Sequence, residues 1–278
     1  IHNVETILTI QLLCNLFGVT RQGYYKWLEK QDKQDKNKDI IDRILVIFEE
    51  NHSCYGSRRI VEELRGEDKI VNRKKVLRIM KQHALVPIQR KKRKVAGSIA
   101  LAEADPNLLD RNFESIRPNE KWVTDITYIR MKKGWAYLSV ILDCFGRKVV
   151  SWEIADRMKA ELVVLTIDKA LYTNKLTEPV IIHSDRGSQY GSTIVKEALR
   201  NEFIRKSMSG KASCYDNAVV ESFFKTLKTD TKYKVYENID DAKNNMFKYI
   251  EMYYNTKRRH SFNGYRTPDE VHKQYYNN

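Results

Sequence analysis

Three acidic side chains stand where acids are costly unless they do something. Asp125 interrupts "KWVTDITYIRM", a run that otherwise alternates apolar and polar residues as a half-buried strand does. Asp185 closes "EPVIIHSD", a short, almost fully apolar segment of the kind that fills a buried sheet position. Glu221 lies in "SCYDNAVVESFFKTLKTD", among Val219, Val220, Phe223 and Phe224. A carboxylate ending an apolar central strand needs a partner or a metal ion to offset its lost hydration. Two or three convergent carboxylates are the oxygen donors that Mg2+ takes, together with waters and a substrate phosphate. A pair of such ions activates the attacking oxygen and stabilises the leaving one in an in-line displacement. No covalent enzyme intermediate is then required, and no Ser/His/Asp arrangement or P-loop has comparable support.

Each acid also has a plainer use. Asp125 can hydrogen-bond a loop, Asp185 can cap the adjoining turn, and Glu221 can pair with Lys225 at i+4 for a few tenths of a kcal/mol. Asp143 is a rival at the end of "WAYLSVILDC"; with Cys144, Phe145 and Gly146 after it, a turn-cap role is expected. On a helix, Val220, Phe223, Phe224 and Leu227 form a buried stripe. Asn217, Glu221, Lys225 and Lys228 form a second stripe beside it.

The elements that must position these acids occupy residues 119–235. Two strands carrying Asp125 and Asp143 are followed by a third, "KVVSWEIAD", with "GR" at 146–147 marking the turn before it. A helix ("KAELVVLTIDKAL"), the Asp185 strand, a helix ("STIVKEALRNE"), a weak strand ("FIRKSMS") and the Glu221 helix complete the region. This is the order of an α/β ribonuclease-H-like core, a mixed five-stranded sheet with flanking helices. In such a sheet the first and fourth strands are neighbours, which places Asp125 beside Asp185.

All-α units precede the core. Residues 1–30 read as a helix-turn-helix: Leu12, Leu13, Leu16 and Phe17 have helical spacing, Gly18 breaks the first helix and Thr20 caps the second. The second helix would expose Arg21, Gln22, Tyr24 and Lys26 to DNA while Tyr25 and Leu28 face inward. An ordinary helical hairpin is the competing reading. Residues 31–88 form a second helical unit, with Ile40, Ile41, Ile44, Leu45, Ile47 and Phe48 periodic in its first helix and Val76, Leu77, Ile79 and Met80 the buried side of its last. Ser57 is the expected cap of the helix between them. Arg58, Arg59, Lys74 and Lys75 stand at helix starts, where backbone N–H groups also favour phosphate. Residues 89–118 are expected to be a basic linker and boundary, with Arg90, Lys91, Lys92, Arg93 and Lys94 its charged block. Residues 236–278 are expected to be a helical extension and basic tail, where Arg258, Arg259 and His260 are candidate phosphate contacts.

Composition agrees with a polyanion partner. The 278 residues carry a net charge of +14. Residues 1–94 hold 21 Lys/Arg against 12 Asp/Glu, so the excess is concentrated upstream of the acids. The four cysteines form no C-x-x-C pair, which argues against a zinc site or a disulfide framework. No run of 18 apolar residues predicts a membrane span, and the first residues lack the marks of a signal peptide.

From Asp125 to Glu221 the chain resembles the catalytic core of a DDE transposase of the retroviral-integrase type, with 35 residues (186–220) between the second and third acids. More narrowly, "RPNEKWVTDITYI", "HSDRGSQY", "SCYDNAVVESFFKTLK" and "YNTKRRHSFNGYRTP" resemble the insertion-sequence-three family of bacterial transposases. The upstream "HSCYGSRRI" and "NRKKVLRIM" resemble the helical domain of that family's downstream-frame product, so nearly the whole chain is covered. The resemblance implies that Asp125, Asp185 and Glu221 bind two catalytic Mg2+ ions, with Mn2+ able to substitute. It implies that Lys228, and Lys225 on the same face, lie near a DNA end. It further implies cleavage at terminal inverted repeats, joining of the freed 3′-hydroxyl to another phosphodiester, and a dimer or higher assembly that holds two ends. Many members are frameshift fusions with an upstream helix-turn-helix and leucine-zipper product; this chain begins without Met and shows no obvious zipper, so that partner is an expectation too. The location implied is the bacterial cytoplasm, at the nucleoid. A nuclease that cleaves without joining would use the same site. A DNA-binding repressor with an inert core is the non-enzymatic alternative, and the intact acid triad argues against it.

Overall fold

The computed structural model describes residues 9–32, 38–89, 105–174, 176–210 and 214–277. The basic block Arg90, Lys91, Lys92, Arg93 and Lys94 lies outside the described residues. The chain begins with helices α1 (Ile10–Leu16) and α2 (Arg21–Asp32). Gly18 makes the turn between them at φ +64°, a conformation that costs an L residue and suits glycine. Thr20 Oγ1 accepts the Gly23 N–H at 3.0 Å and so caps α2 as expected. The phase of α2 differs from expectation. Tyr24 is buried and Tyr25 exposed, because the inward face carries Leu13, Cys14 and Tyr24 and the next residue is turned about 100° away. Leu12, Leu16 and Phe17 are exposed despite their spacing.

Helices α3 (Lys38–Glu50), α4 (Ser57–Gly66) and α5 (Arg73–Gln82) enclose a core of their own. Ile44, Ile47, Phe48, Tyr55, Ile60, Leu64, Val76, Ile79 and Met80 fill it. Leu77, expected inside, is exposed. Ser57 is the first helical residue rather than the cap; Gly56 holds the cap position, with no side-chain hydrogen bond. At α5 Asn72 does cap, accepting the Lys74 N–H at 2.8 Å.

Strands β1 (Lys121–Arg130), β2 (Trp135–Asp143) and β3 (Val149–Ala155) form an antiparallel meander. Helix α6 (Ala160–Thr173) leads to β4 (Val180–Ser184), and α7 (Thr193–Ala198) leads to β5 (Ile204–Met208). The sheet order is β3-β2-β1-β4-β5, with β4 parallel to both β1 and β5, which is the mixed five-stranded sheet expected. Helices α8 (Ala218–Asp230), α9 (Ile239–Tyr249) and α10 (Pro268–Asn277) complete the chain.

Strand alternation sorts the side chains of β1 between two cores. Trp122 packs with Val163, Ile167 and Ala170 of α6, and with Ile182 and Val195. Val123 and Ile129 pack on the opposite face with Val220, Phe223 and Leu227 of α8 and with Ala242 and Met246 of α9. Asp125 and Thr127 share the parity of Val123 and so belong to the α8 face.

Two boundaries move. Residues 105–118, expected within the linker, pack on the core: Leu109 is buried, and the Leu108 N–H donates to Ser207 Oγ at 2.9 Å. Tyr236 and α9 belong to the same apolar cluster as α8, so the helical extension shares the core of residues 119–235.

Candidate active site

Two acids are set side by side by the sheet. β1 and β4 pair in parallel through Val123 and His183, and Asp125 and Asp185 each lie two residues beyond that pair. Both therefore point to one face, Asp125 from within β1 and Asp185 from just past the end of β4. Asp125 Oδ1 accepts the Ile126 N–H at 2.7 Å, and Asp185 Oδ1 accepts the Gly187 N–H at 2.9 Å. The turn bond foreseen for Asp185 is thus present, while Asp125 bonds its own neighbour in β1 rather than a loop; each bond takes up only one carboxylate oxygen. A Cβ at position 187 would stand 2.9 Å from Asp185 Oδ1 and push that carboxylate aside.

The third acid comes from the first turn of α8, which is tied to β1 on both sides of Asp125. Asn217 Nδ2 donates to the Thr124 carbonyl at 3.2 Å, and Lys228 Nζ donates to Thr127 Oγ1 at 2.7 Å. The polar stripe Asn217–Glu221–Lys225–Lys228 therefore runs along the acids while its apolar neighbours fix the helix. A buried bond of 3.0 Å between Thr124 Oγ1 and Tyr190 OH ties the Asp185 loop to β1 from the other side. Glu221 Oε2 pairs with Lys225 at 3.3 Å, the i+4 ion pair foreseen as its plain alternative.

The three acids feel one another's charge. Burial first, and then the Asp185 charge, pushes the Asp125 carboxyl up to about 8; Glu221 adds to this and Lys228 opposes it. Asp185 is raised by burial, with Glu221 adding and the Gly187 N–H opposing. An all-oxygen donor set with too much negative charge for its surroundings fits a hard divalent cation. Among the described residues no three His, Cys, Asp or Glu side chains converge closely enough to hold an ion as they stand.

The rival acid is structural. Asp143 accepts the Asn119 and Phe145 N–H groups at 2.8 and 2.9 Å, the turn-cap role expected of it. His183, on β4 next to the site, is bonded to Ser207 and Ser209 and held neutral, its pKa lowered to about 4 by burial.

The expected DNA contacts divide. Arg21, Gln22, Lys26, Arg58, Lys74 and Lys225 are exposed, and Lys75 is partly so. Tyr24 is not available, for the reason of helix phase given above. Arg59 stacks its guanidinium over Tyr55 at 5.2 Å. Arg258 is buried, its Nε 2.6 Å from Asp230, and Arg259 pairs with Glu63 at 2.9 Å. Arg258 and Arg259 are thus spent on ion pairs at the junction of the helical unit and the core, with the partly exposed Arg59 beside them. Tyr253 OH donates to Asn51 and the Arg259 N–H to Tyr55 OH in the same junction. The sequence offered no signal for Thr124, Thr127 or Tyr190 beyond their place inside the acid motifs, since their bonds cross the sheet.

Comparison with known proteins defines first the class. Two family models described as "Integrase core domain" match residues 116–214 and 202–268, and one described as "HTH-like domain" matches residues 34–93. The fold, the acid recess and these matches are those of a DDE transposase/integrase enzyme. The transposase InsF for insertion sequence IS3A of Escherichia coli (strain K12) is 34% identical over 97% of this chain and 95% of its own length. An uncharacterised 31 kDa protein of insertion element IS600 from Shigella sonnei is 35% identical over 95% of this chain and 98% of its own. The chain belongs to the InsF-like transposases of IS3-type insertion sequences and acts in DNA transposition. Among solved structures, the HTLV-2 integrase catalytic core domain in complex with magnesium (dimeric form) aligns at 20% identity and a TM-score of 0.41, covering 57% of this chain and 99% of that one. Among the described residues no helix is long and apolar enough to cross a membrane.

Proposed function

We propose that this transposase binds the terminal inverted repeats of its element, cleaves there and joins the freed 3′-hydroxyl to a second phosphodiester, with Asp125, Asp185 and Glu221 as its metal-binding acids. The observation that carries this reading is that β1, the end of β4 and the start of α8, tied together by strand pairing and the Asn217–Thr124 bond, bring three carboxylates within reach of one another's charge. Two Mg2+ ions, or Mn2+ in their place, would supply Lewis-acid activation of the attacking oxygen and stabilisation of the leaving one. The protein's share is placement. Thr124 and Tyr190 fix the Asp185 loop on β1, and α8 delivers Glu221 to the same edge. Glu221 would hold the cation in place of its Lys225 partner, which would leave Lys225 free for the DNA backbone. Lys228, anchored on Thr127, holds a positive charge at the rim for a phosphate.

The helical units take the element end. Arg21, Gln22 and Lys26 line the exposed side of α2, and Arg58, Lys74 and Lys75 lie near helix starts of the second unit. Two ends must be held at once, so the working form is a dimer or larger assembly on DNA, with an upstream-frame helix-turn-helix and leucine-zipper product as a further partner, at the bacterial nucleoid.

A labelled duplex carrying the element's own end tests the reading in Mg2+. Wild type should give joined product. Asp185→Asn and Glu221→Gln should bind the duplex with wild-type affinity and fail to join it. Joining by either variant at the wild-type rate would remove that residue from the site; cleavage without joining by wild type would make the enzyme a nuclease.

A further inference from the structure

Asn217 occupies the N-cap position of α8, but it does not cap. An asparagine there ordinarily accepts an N–H of the first helical turn through Oδ1. Here no side-chain cap bond is made, and the backbone sits at φ −118°, ψ 23°. The side chain is spent elsewhere: Nδ2 crosses to the Thr124 carbonyl, 93 residues away in sequence and adjacent to Asp125. Oδ1 is buried, in a residue only 5% exposed, and finds no hydrogen-bond partner among the described residues. The assignment of the two amide atoms comes from the partner, since a carbonyl oxygen can only accept. A buried acceptor left unmade is a cost that folded proteins rarely carry without a use. Asn217 also stands one helical turn before Glu221, on the same face.

We infer that Asn217 is a positioning residue for the metal site: its amide pins the start of α8 to β1, setting Glu221 against Asp125, and its Oδ1 is kept open for a donor that arrives with the hydrated cation. The inference rests on the reading of Asp125, Asp185 and Glu221 as metal ligands. The pin and the open acceptor belong to one amide, so its loss is felt first in cation affinity.

Asn217→Ser and Asn217→Ala in the full chain separate this role from helix capping. Serine caps a helix start about as well as asparagine, but it is too short to reach the Thr124 carbonyl. If Asn217 were a structural cap, serine would restore every property. If it positions the site, both variants should keep wild-type affinity for the element end and bind Mn2+ ~10-fold or more weakly, the scale of lost outer-sphere support at metal sites. Single-turnover joining should fall with it, and raised Mn2+ should recover part of the rate. Wild-type Mn2+ affinity in Asn217→Ser overturns the inference whatever joining does. Glu221→Gln run alongside tells the two failures apart. If Glu221→Gln also binds Mn2+ as wild type does, the metal-site reading itself fails; if only Asn217→Ser is unaffected, the pin alone is wrong.

Discussion

Helix α8 has an acid near each end, and the two are handled in opposite ways. At its start Glu221 joins Asp125 and Asp185 in a recess where burial and like charge push Asp125 up to about 8. At its last residue Asp230 is buried to 2% exposure, but Oδ2 accepts from Arg258 Nε at 2.6 Å and from Tyr249 OH at 2.9 Å. The second arrangement satisfies its charge and locks the helix to its surroundings. Cys54 and Asn51 of the helical unit close on the same region through the Thr229 carbonyl and Tyr253. The first arrangement leaves Asp125 and Asp185 with one N–H donor each and sets Glu221 against an exposed lysine only. The contrast is between an acid turned into an anchor by full compensation and acids whose charge is left available to a ligand; a raised pKa alone does not separate the two, since burial also pushes the turn-capping Asp143 up to about 7.

Breaking the satisfied end should have the largest effect on stability. Arg258→Met leaves Asp230 buried and unpaired and should cost about 3–5 kcal/mol, the usual penalty for orphaning one member of a buried ion pair. Urea unfolding reads this directly. Adding Asp230→Asn to Arg258→Met should recover part of the loss; no recovery would mean that packing, rather than charge, dominates that end.

Relieving the unsatisfied end should act in the opposite direction. The Asp125 carboxyl is raised in the folded state, so the folded protein holds a proton that the unfolded chain releases at an ordinary carboxylate pKa of about 4. The stability linked to this group is fully present below that pH and is lost as pH rises through about 8. Without divalent cations, wild type should melt several degrees lower at pH 8 than at pH 5, and Asp125→Asn should flatten that dependence. Added Mg2+ should raise the melting temperature of wild type at pH 8 and leave Asp125→Asn nearly unmoved.

The smallest effect belongs to the surface pair. Lys225→Ala removes only an exposed i+4 contact with Glu221 and should change stability by about 0.5 kcal/mol or less. A calorimetric change well above that would mean that Lys225 holds the helix as well as the carboxylate.

The acid recess was legible because its placement is local. Alternation in "KWVTDITYI" decides the face of Asp125, the apolar run before Asp185 decides its strand end, and the stripe from Asn217 to Lys228 comes from helical periodicity. The basic residues were less legible, since a charge is visible in sequence and its partner is not. Arg258 lies 28 residues from Asp230, Arg259 meets Glu63 on a different unit, and Arg59 turns back onto Tyr55, so all three resemble phosphate contacts until the chain is folded. Tyr24 and Tyr25 are adjacent, and a one-residue error in helix phase exchanges their roles. The pin from Asn217 to β1 is hidden for the same reason as the arginines, because its bond spans 93 residues.

The three opposed carboxylates are proposed to form one divalent-cation site. Manganese titration of the full chain, followed by electron paramagnetic resonance, tests it without relying on activity. Wild type should show saturable binding that is lost in Asp125→Asn and Asp185→Asn and weakened at least ~10-fold in Glu221→Gln, while Arg258→Lys, at the satisfied end, leaves it unchanged. Wild-type affinity in any of the three acid variants would contradict it.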